Sequence, residues 1–138
     1  MKKLLTLLAL SVLSCCSKEV NEYDIILKKI DKSYQVKLDS GKFMLKTERE
    51  YSIRLDSLMQ KVYKNLLTTK KAKKHLIEIE QNKWSLQRKL KIENIRKQNN
   101  KLIEEIGFIP NDVKLLLYNE KSQATRKRVL ELINQLQK

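Results

Sequence analysis

Residues 56–88 read DSLMQKVYKNLLTTKKAKKHLIEIEQNKWSLQR. Taken back to Tyr51, the apolar residues fall at Tyr51, Leu55, Leu58, Val62 and Leu66. Those steps of three and four share one face of a helix, with Met59 beside them. Asp56 and Tyr63, seven apart, lie together on the edge of that stripe. Thr68-Thr69-Lys70-Lys71 breaks the pattern, and a second helix is expected to start near Lys70. In it Ala72, Leu76, Ile79, Leu86 and Leu90 form one stripe. Ile77, Gln81, Trp84, Arg88 and Ile95 form another, well over a quarter turn away. Two stripes on one helix predict contact with two neighbours.

Trp84 is the only tryptophan, with Gln81 one turn before it and Arg88 one turn after it. An arginine at i+4 can lay its guanidinium over the indole, and the glutamine can bond the indole or a backbone group. Two readings follow. The indole is a core residue with polar groups guarding its rim, or it is an exposed aromatic–arginine recognition patch.

Outward from this stretch the pattern stays helical. Tyr23, Ile26, Leu27, Ile30 and Tyr34 predict a first amphipathic helix ending near Gly41. The alternation of Tyr34, Val36 and Leu38 before Asp39-Ser40-Gly41 leaves a small hairpin as the alternative. Ile92, Ile95, Leu102, Ile103 and Ile106 extend the long helix, through a kink near the polar Lys97–Lys101. Gly107 is a natural helix C-terminal residue, with Pro110 three beyond it. Asn111 or Asp112 can cap a short helix bearing Val113, Leu116 and Leu117. Ser122 can cap a last one bearing Val129, Leu132, Ile133 and Leu136. With two glycines and one proline in 138 residues, turns are few and helices long. The expected fold is an all-α small helical bundle. Tyr63, Trp84 and the Thr125-to-Leu132 face are expected to meet in its core, with Arg128 and Glu131 able to pair across helices.

The chain opens with Met1-Lys2-Lys3 and an apolar run from Leu4 to Leu13, ending in Ser14-Cys15-Cys16. A short positive head and an apolar run too short to span a bilayer make a secretory signal. A small residue and then cysteine resemble the bacterial lipobox. Cys15 is the expected lipidation site, with Cys16 the second choice. Residues 1–14 then form a signal peptide, 15–22 a lipidated tether, 23–47 an N-terminal helical segment and 48–138 the main helical domain. Localisation on the extracytoplasmic side of a bacterial envelope follows, held to the membrane by the lipid anchor. Loss of Lys2 and Lys3 leaves 28 basic against 16 acidic residues, a formal +12. Such a charge favours anionic lipid headgroups or envelope polymers as partners, or is simply a solvated face. Export and the lack of zinc-ligand spacing argue against nucleic acid.

Three short motifs resemble the LprI-like family of bacterial envelope lipoproteins, named for a lysozyme inhibitor. They are Asp56, Met59, Gln60, Tyr63 and Leu66; then Gln81, Trp84 and Arg88; then Thr125, Arg128, Glu131 and Leu132. Order and internal spacing agree with the family over roughly residues 48–138. In this chain Met59-Gln60 replaces Leu-Asn, Gln87 replaces an aromatic, Lys89 replaces an aspartate and Ile92 stands at a family cysteine. The family disulfide is therefore absent. The resemblance implies a protein-binding module that engages or inhibits a lysozyme-like muramidase. The alternative from charge alone is a basic structural lipoprotein that binds anionic envelope polymers or membrane surfaces.

Catalysis is not expected. His75, the single histidine, stands inside Lys70-Lys71-Ala72-Lys73-Lys74 and reads as solvated. There is no glycine-rich phosphate loop, nucleophile elbow or Cys/His cluster. Asp56 and Glu104-Glu105 read as helix-surface carboxylates without partners. No cofactor and no metal site are expected.

Overall fold

The computed structural model describes residues 22–138. The expected signal peptide, Cys15, Cys16 and nearly all of the expected tether lie outside these residues. Five α-helices follow one another: α1 (residues 22–39), α2 (Met44–Thr69), α3 (Lys74–Gln98), α4 (Asn100–Ile106) and α5 (Asn111–Gln137). The described residues contain no strand, so the hairpin alternative near Gly41 is set aside. Gly41 with φ 63° and Phe43 with φ 54° instead turn the chain tightly from α1 into α2. No helix among the described residues is long and apolar enough to cross a membrane.

Cross-helix contacts fix the directions. Tyr23 meets Asn65 at 3.0 Å and Tyr51 donates to Asp31 at 2.7 Å, so α1 runs antiparallel to α2. Asn119 reaches Glu48 and Thr125 reaches Asp56, each at 3.4 Å, so α5 runs parallel to α2. Arg88 bonds Asp56 and Gln81 approaches Met59, so α3 runs antiparallel to both. Among α2 to α5, the most extensive contact is between α2 and α5. The starts of α1 and α3 therefore share one end of the bundle with the ends of α2 and α5.

The stripe of α2 expected to be core is core: Tyr51, Leu55, Leu58, Met59, Val62 and Leu66 are buried with Val129, Leu132, Ile133 and Leu136 of α5. Leu27 and Ile30 of α1 and Ile77 of α3 complete the same cluster. Burying side chains of this size is the main favourable term in folding, about 1.5–3 kcal/mol each. The backbone breaks also fall where expected. Lys70 and a 3₁₀ turn, Lys71–Lys73, separate α2 from α3. Asn99 separates α3 from α4, and Gly107 at φ 81° ends α4.

Four expectations need correction. Leu76, Ile79, Leu86 and Leu90 are half or more exposed, so α3 meets its two neighbours, α2 and α5, through one stripe and leaves the other open. Ser122 caps nothing: α5 runs unbroken from Asn111 to Gln137, because no glycine or proline interrupts it. Ser122 sits mid-helix and fully buried. Its small volume, like that of Ser52, suits the narrow space where α2 and α5 run side by side. Neither Asn111 nor Asp112 holds the N-cap position of α5, which falls to Pro110, although Asp112 Oδ1 accepts a hydrogen bond from the first-turn Val113 N–H at 2.9 Å. Arg128 and Glu131 pair within one helix at 3.1 Å, not across two.

Leu132→Ala is expected to cost about 2–5 kcal/mol, as for other buried leucines. Leu86→Ala, on the open face of α3, is expected to stay within about 0.5 kcal/mol. Urea denaturation of the two variants beside the parent checks the contrast.

Candidate functional site: a polar groove between α3 and α5

The three motifs lie on three helices that the fold brings to one place. Asp56 on α2 is the meeting point. Its Oδ1 accepts a hydrogen bond from Arg88 Nη1 at 2.7 Å, and its Oδ2 faces Lys121 Nζ at 2.6 Å. Arg88 Nη1 also donates to Thr125 Oγ1 at 2.7 Å, and the Thr125 hydroxyl donates to the Lys121 carbonyl at 2.8 Å. One turn away on α3, the Trp84 ring lies under the same guanidinium, 4.5 Å from ring centroid to Arg88 Cζ. That geometry is a cation–π contact. Asp56 is thus no partnerless surface carboxylate. Helical spacing along α2 says nothing about Lys121, which comes from 65 positions later in the sequence.

A second polar cluster lies nearer the end of the bundle. Arg128 is buried and donates through Nε to Gln81 Oε1 at 2.9 Å and through Nη1 to Glu131 Oε2 at 3.1 Å. Gln81 in turn places Nε2 3.5 Å from Met59 Sδ. Gln81 therefore serves the arginine and the methionine sulfur, not the indole as its spacing had suggested. Arg128 Nη2 has no hydrogen-bond partner among the described residues. Tyr63 packs at the edge of the core, where burial first and the charge of Glu78 second push its phenol up.

Trp84 satisfies neither expectation fully. It packs against the core from a partly buried position, and its remaining surface opens into a groove between α3 and α5. The groove holds about 590 Å³ and is lined by Trp84, Gln87, Arg88, Ala124, Arg128 and three carboxylates, Glu80, Glu120 and Glu131. Lys83, Lys91, Gln123 and Lys127 complete its walls. A neighbouring groove of about 900 Å³ is bordered by Arg88, Lys89, Arg96, Lys97 and Lys121 over Ile92, Ile109 and Leu117, with Glu93 the carboxylate in its lining. No cluster of His, Cys, Asp and Glu among the described residues could hold a metal ion.

Burial alone would raise the Asp56 carboxyl, but hydrogen bonds from Lys121 and Arg88 outweigh it and hold it below the usual carboxylate range. A carboxyl depressed in the folded state stabilises the fold above its unfolded pKa of about 3.9 and loses that contribution as pH falls through its folded value. Asp56→Asn is therefore expected to destabilise the protein at neutral pH, with the gap to the parent closing on acidification below about pH 4. Denaturation midpoints of both proteins across that range test it; a gap that stays constant contradicts the ion-pair assignment.

Comparison with known proteins finds no matching family model, no matching curated protein and no matching solved structure, so the geometry of the grooves carries the functional reading.

Proposed function

We propose that this chain is a lipid-anchored, extracytoplasmic binding module that engages a protein partner through the α3–α5 groove, and that it is not an enzyme. The observation that carries this reading is the half-covered Trp84, clamped by Arg88 and opening onto that groove. Tryptophan and arginine at the centre of a packed polar rim make a recurrent binding hot spot. The family resemblance points to a lysozyme-like muramidase as that partner. A chain of net +12 repels a cationic lysozyme at long range, so contact needs a local acidic foothold. Glu80, Glu120 and Glu131 are the carboxylates a cationic partner would engage there, in exchange for the pairs that Glu120 makes with Lys91 and Glu131 with Arg128.

The second reading, an anionic envelope polymer as ligand, draws on the basic groove next door with its five arginines and lysines. Salt separates the two. A polymer held by phosphates or carboxylates loses affinity steeply as salt rises, because each contact releases or is screened by counterions. An interface with a desolvated aromatic centre depends on salt weakly, or tightens as repulsion is screened.

The expected outcome is measurable lysozyme binding at low and high salt, weakened about tenfold or more by Ala124→Arg, which fills the groove without touching the core cluster. Calorimetric titration against a lysozyme and against an anionic glycopolymer at both salt levels checks it. Absence of lysozyme binding at either salt, with tight and salt-sensitive polymer binding, selects the second reading.

A further inference from the structure

We propose that the corner joining α2 to α3, Lys70 to Ile79, is a docking surface for an anionic phospholipid bilayer. The inference rests on the lipid-anchor reading of Cys15 for its geometry, and on the described residues for its chemistry. Lys71, Lys73 and Lys74 are exposed and Lys70 is partly so. Directly after them, Leu76 and Ile79 stand 61% and 50% exposed on one face of α3. The carboxylates at this end include Glu22, Asp24, Glu78 and Glu80; Glu78 is engaged by Lys74 at 3.9 Å, and Glu80 accepts a hydrogen bond from Gln135 at 3.0 Å. Lysines beside outward-facing leucine and isoleucine match an anionic interface: the apolar side chains enter the headgroup boundary while the ammonium groups stay among the phosphates. A negatively charged membrane surface attracts such a cluster strongly only within about a Debye length.

The topology brings this corner to the membrane. The contact of Tyr23 with Asn65 sets the start of α1 beside the end of α2, a few residues from Lys70. From Cys15 to Glu22 the chain can reach at most about 25 Å even fully extended. An anchored Cys15 therefore keeps this end of the bundle within that distance of the bilayer. The α3–α4 end, with Phe108 exposed at 61%, lies a full α3 length away. The anchor supplies proximity and the corner supplies orientation. In that orientation α3 and α5 extend away from the surface, leaving the Trp84 groove accessible from the aqueous side.

The test uses the full chain, reconstituted into vesicles of phosphatidylcholine brominated in the acyl chains, alone or mixed with phosphatidylglycerol. Bromine quenches a nearby indole. Trp84→Phe removes the native indole, and Leu76→Trp, Ile79→Trp or Phe108→Trp then places the reporter, with circular dichroism confirming that each variant is helical. At position 76 or 79 the emission is expected to fall by about twofold or more in phosphatidylglycerol-containing vesicles, the depth of an interfacial side chain. It should recover in the same vesicles when Lys70, Lys71, Lys73 and Lys74 are all changed to glutamate. The reporter at position 108 should remain bright throughout. An indole at 76 and 79 that stays bright in phosphatidylglycerol vesicles overturns the proposal. So does equal quenching at 108, or quenching that is the same without phosphatidylglycerol. Flotation with vesicles of phosphatidylcholine alone reports the anchor separately: failure to float there counts against anchoring, while docking is still read from the phosphatidylglycerol arm.

Discussion

Leu55, Val62 and Leu66 of α2 and Val129, Leu132 and Ile133 of α5 are withdrawn from water almost completely where the two helices run side by side. α1 and α3 are placed directly against that contact, and α4 follows α3. α1 adds Leu27 and Ile30 on one flank, α3 adds Ile77 and Gln81 on the other, and both are fastened to the pair by polar contacts. On the α1 side Arg126 grips Asp31 through Nε and Nη2 at 3.0 and 2.8 Å, and Tyr34 stacks on Tyr51 with ring centroids 3.9 Å apart. On the α3 side Arg88 and Arg128 reach Asp56, Thr125 and Gln81. Apolar burial supplies the driving force; these directional bonds set register.

The consequence for α3 is asymmetry. It carries only two buried residues, and its opposite face keeps four large aliphatic side chains in solvent. A helix held by polar bonds along one edge leaves its neighbourhood open, and both grooves border it. The α2–α5 pair is the scaffold, and the thinly packed α3 forms a wall of both grooves. Binding residues commonly occupy such positions, where the surrounding fold is rigid and the presenting surface is not itself needed for the core.

The two halves of the proposed biology sit at different ends of the same helix. Lysines crowd the start of α3, near the start of α1, while Trp84 lies further along, facing α5. One end therefore suits a charged surface and the middle suits a protein. The sequence carries a formal +14, and around the indole Glu80, Glu120 and Glu131 are interleaved with Lys83, Arg88, Lys91, Lys127 and Arg128, so a partner there meets charges of both signs.

Helix periodicity was legible without any tertiary structure. The stripe Tyr51, Leu55, Leu58, Val62 and Leu66, the break at Lys70, the interruption near Asn99 and the stop at Gly107 all follow from local rules of spacing and backbone freedom. Those rules act over a few residues, so they held. The choice between the two stripes of α3 did not follow from them, since both are apolar enough to bury and only the position of α5 decides which one does. Ser122 shows the same limit: a serine after a polar run looks like a cap, yet in an unbroken helix beside α2 its value is its small size. Asp56 with Lys121, and Arg128 with Gln81, join residues 65 and 47 positions apart. Sequence named Asp56, Gln81, Trp84, Arg88, Thr125 and Arg128 one helix at a time; only the parallel packing of α5 on α2 and the antiparallel return of α3 turned them into one site, because partners across a bundle are chosen by register and not by spacing.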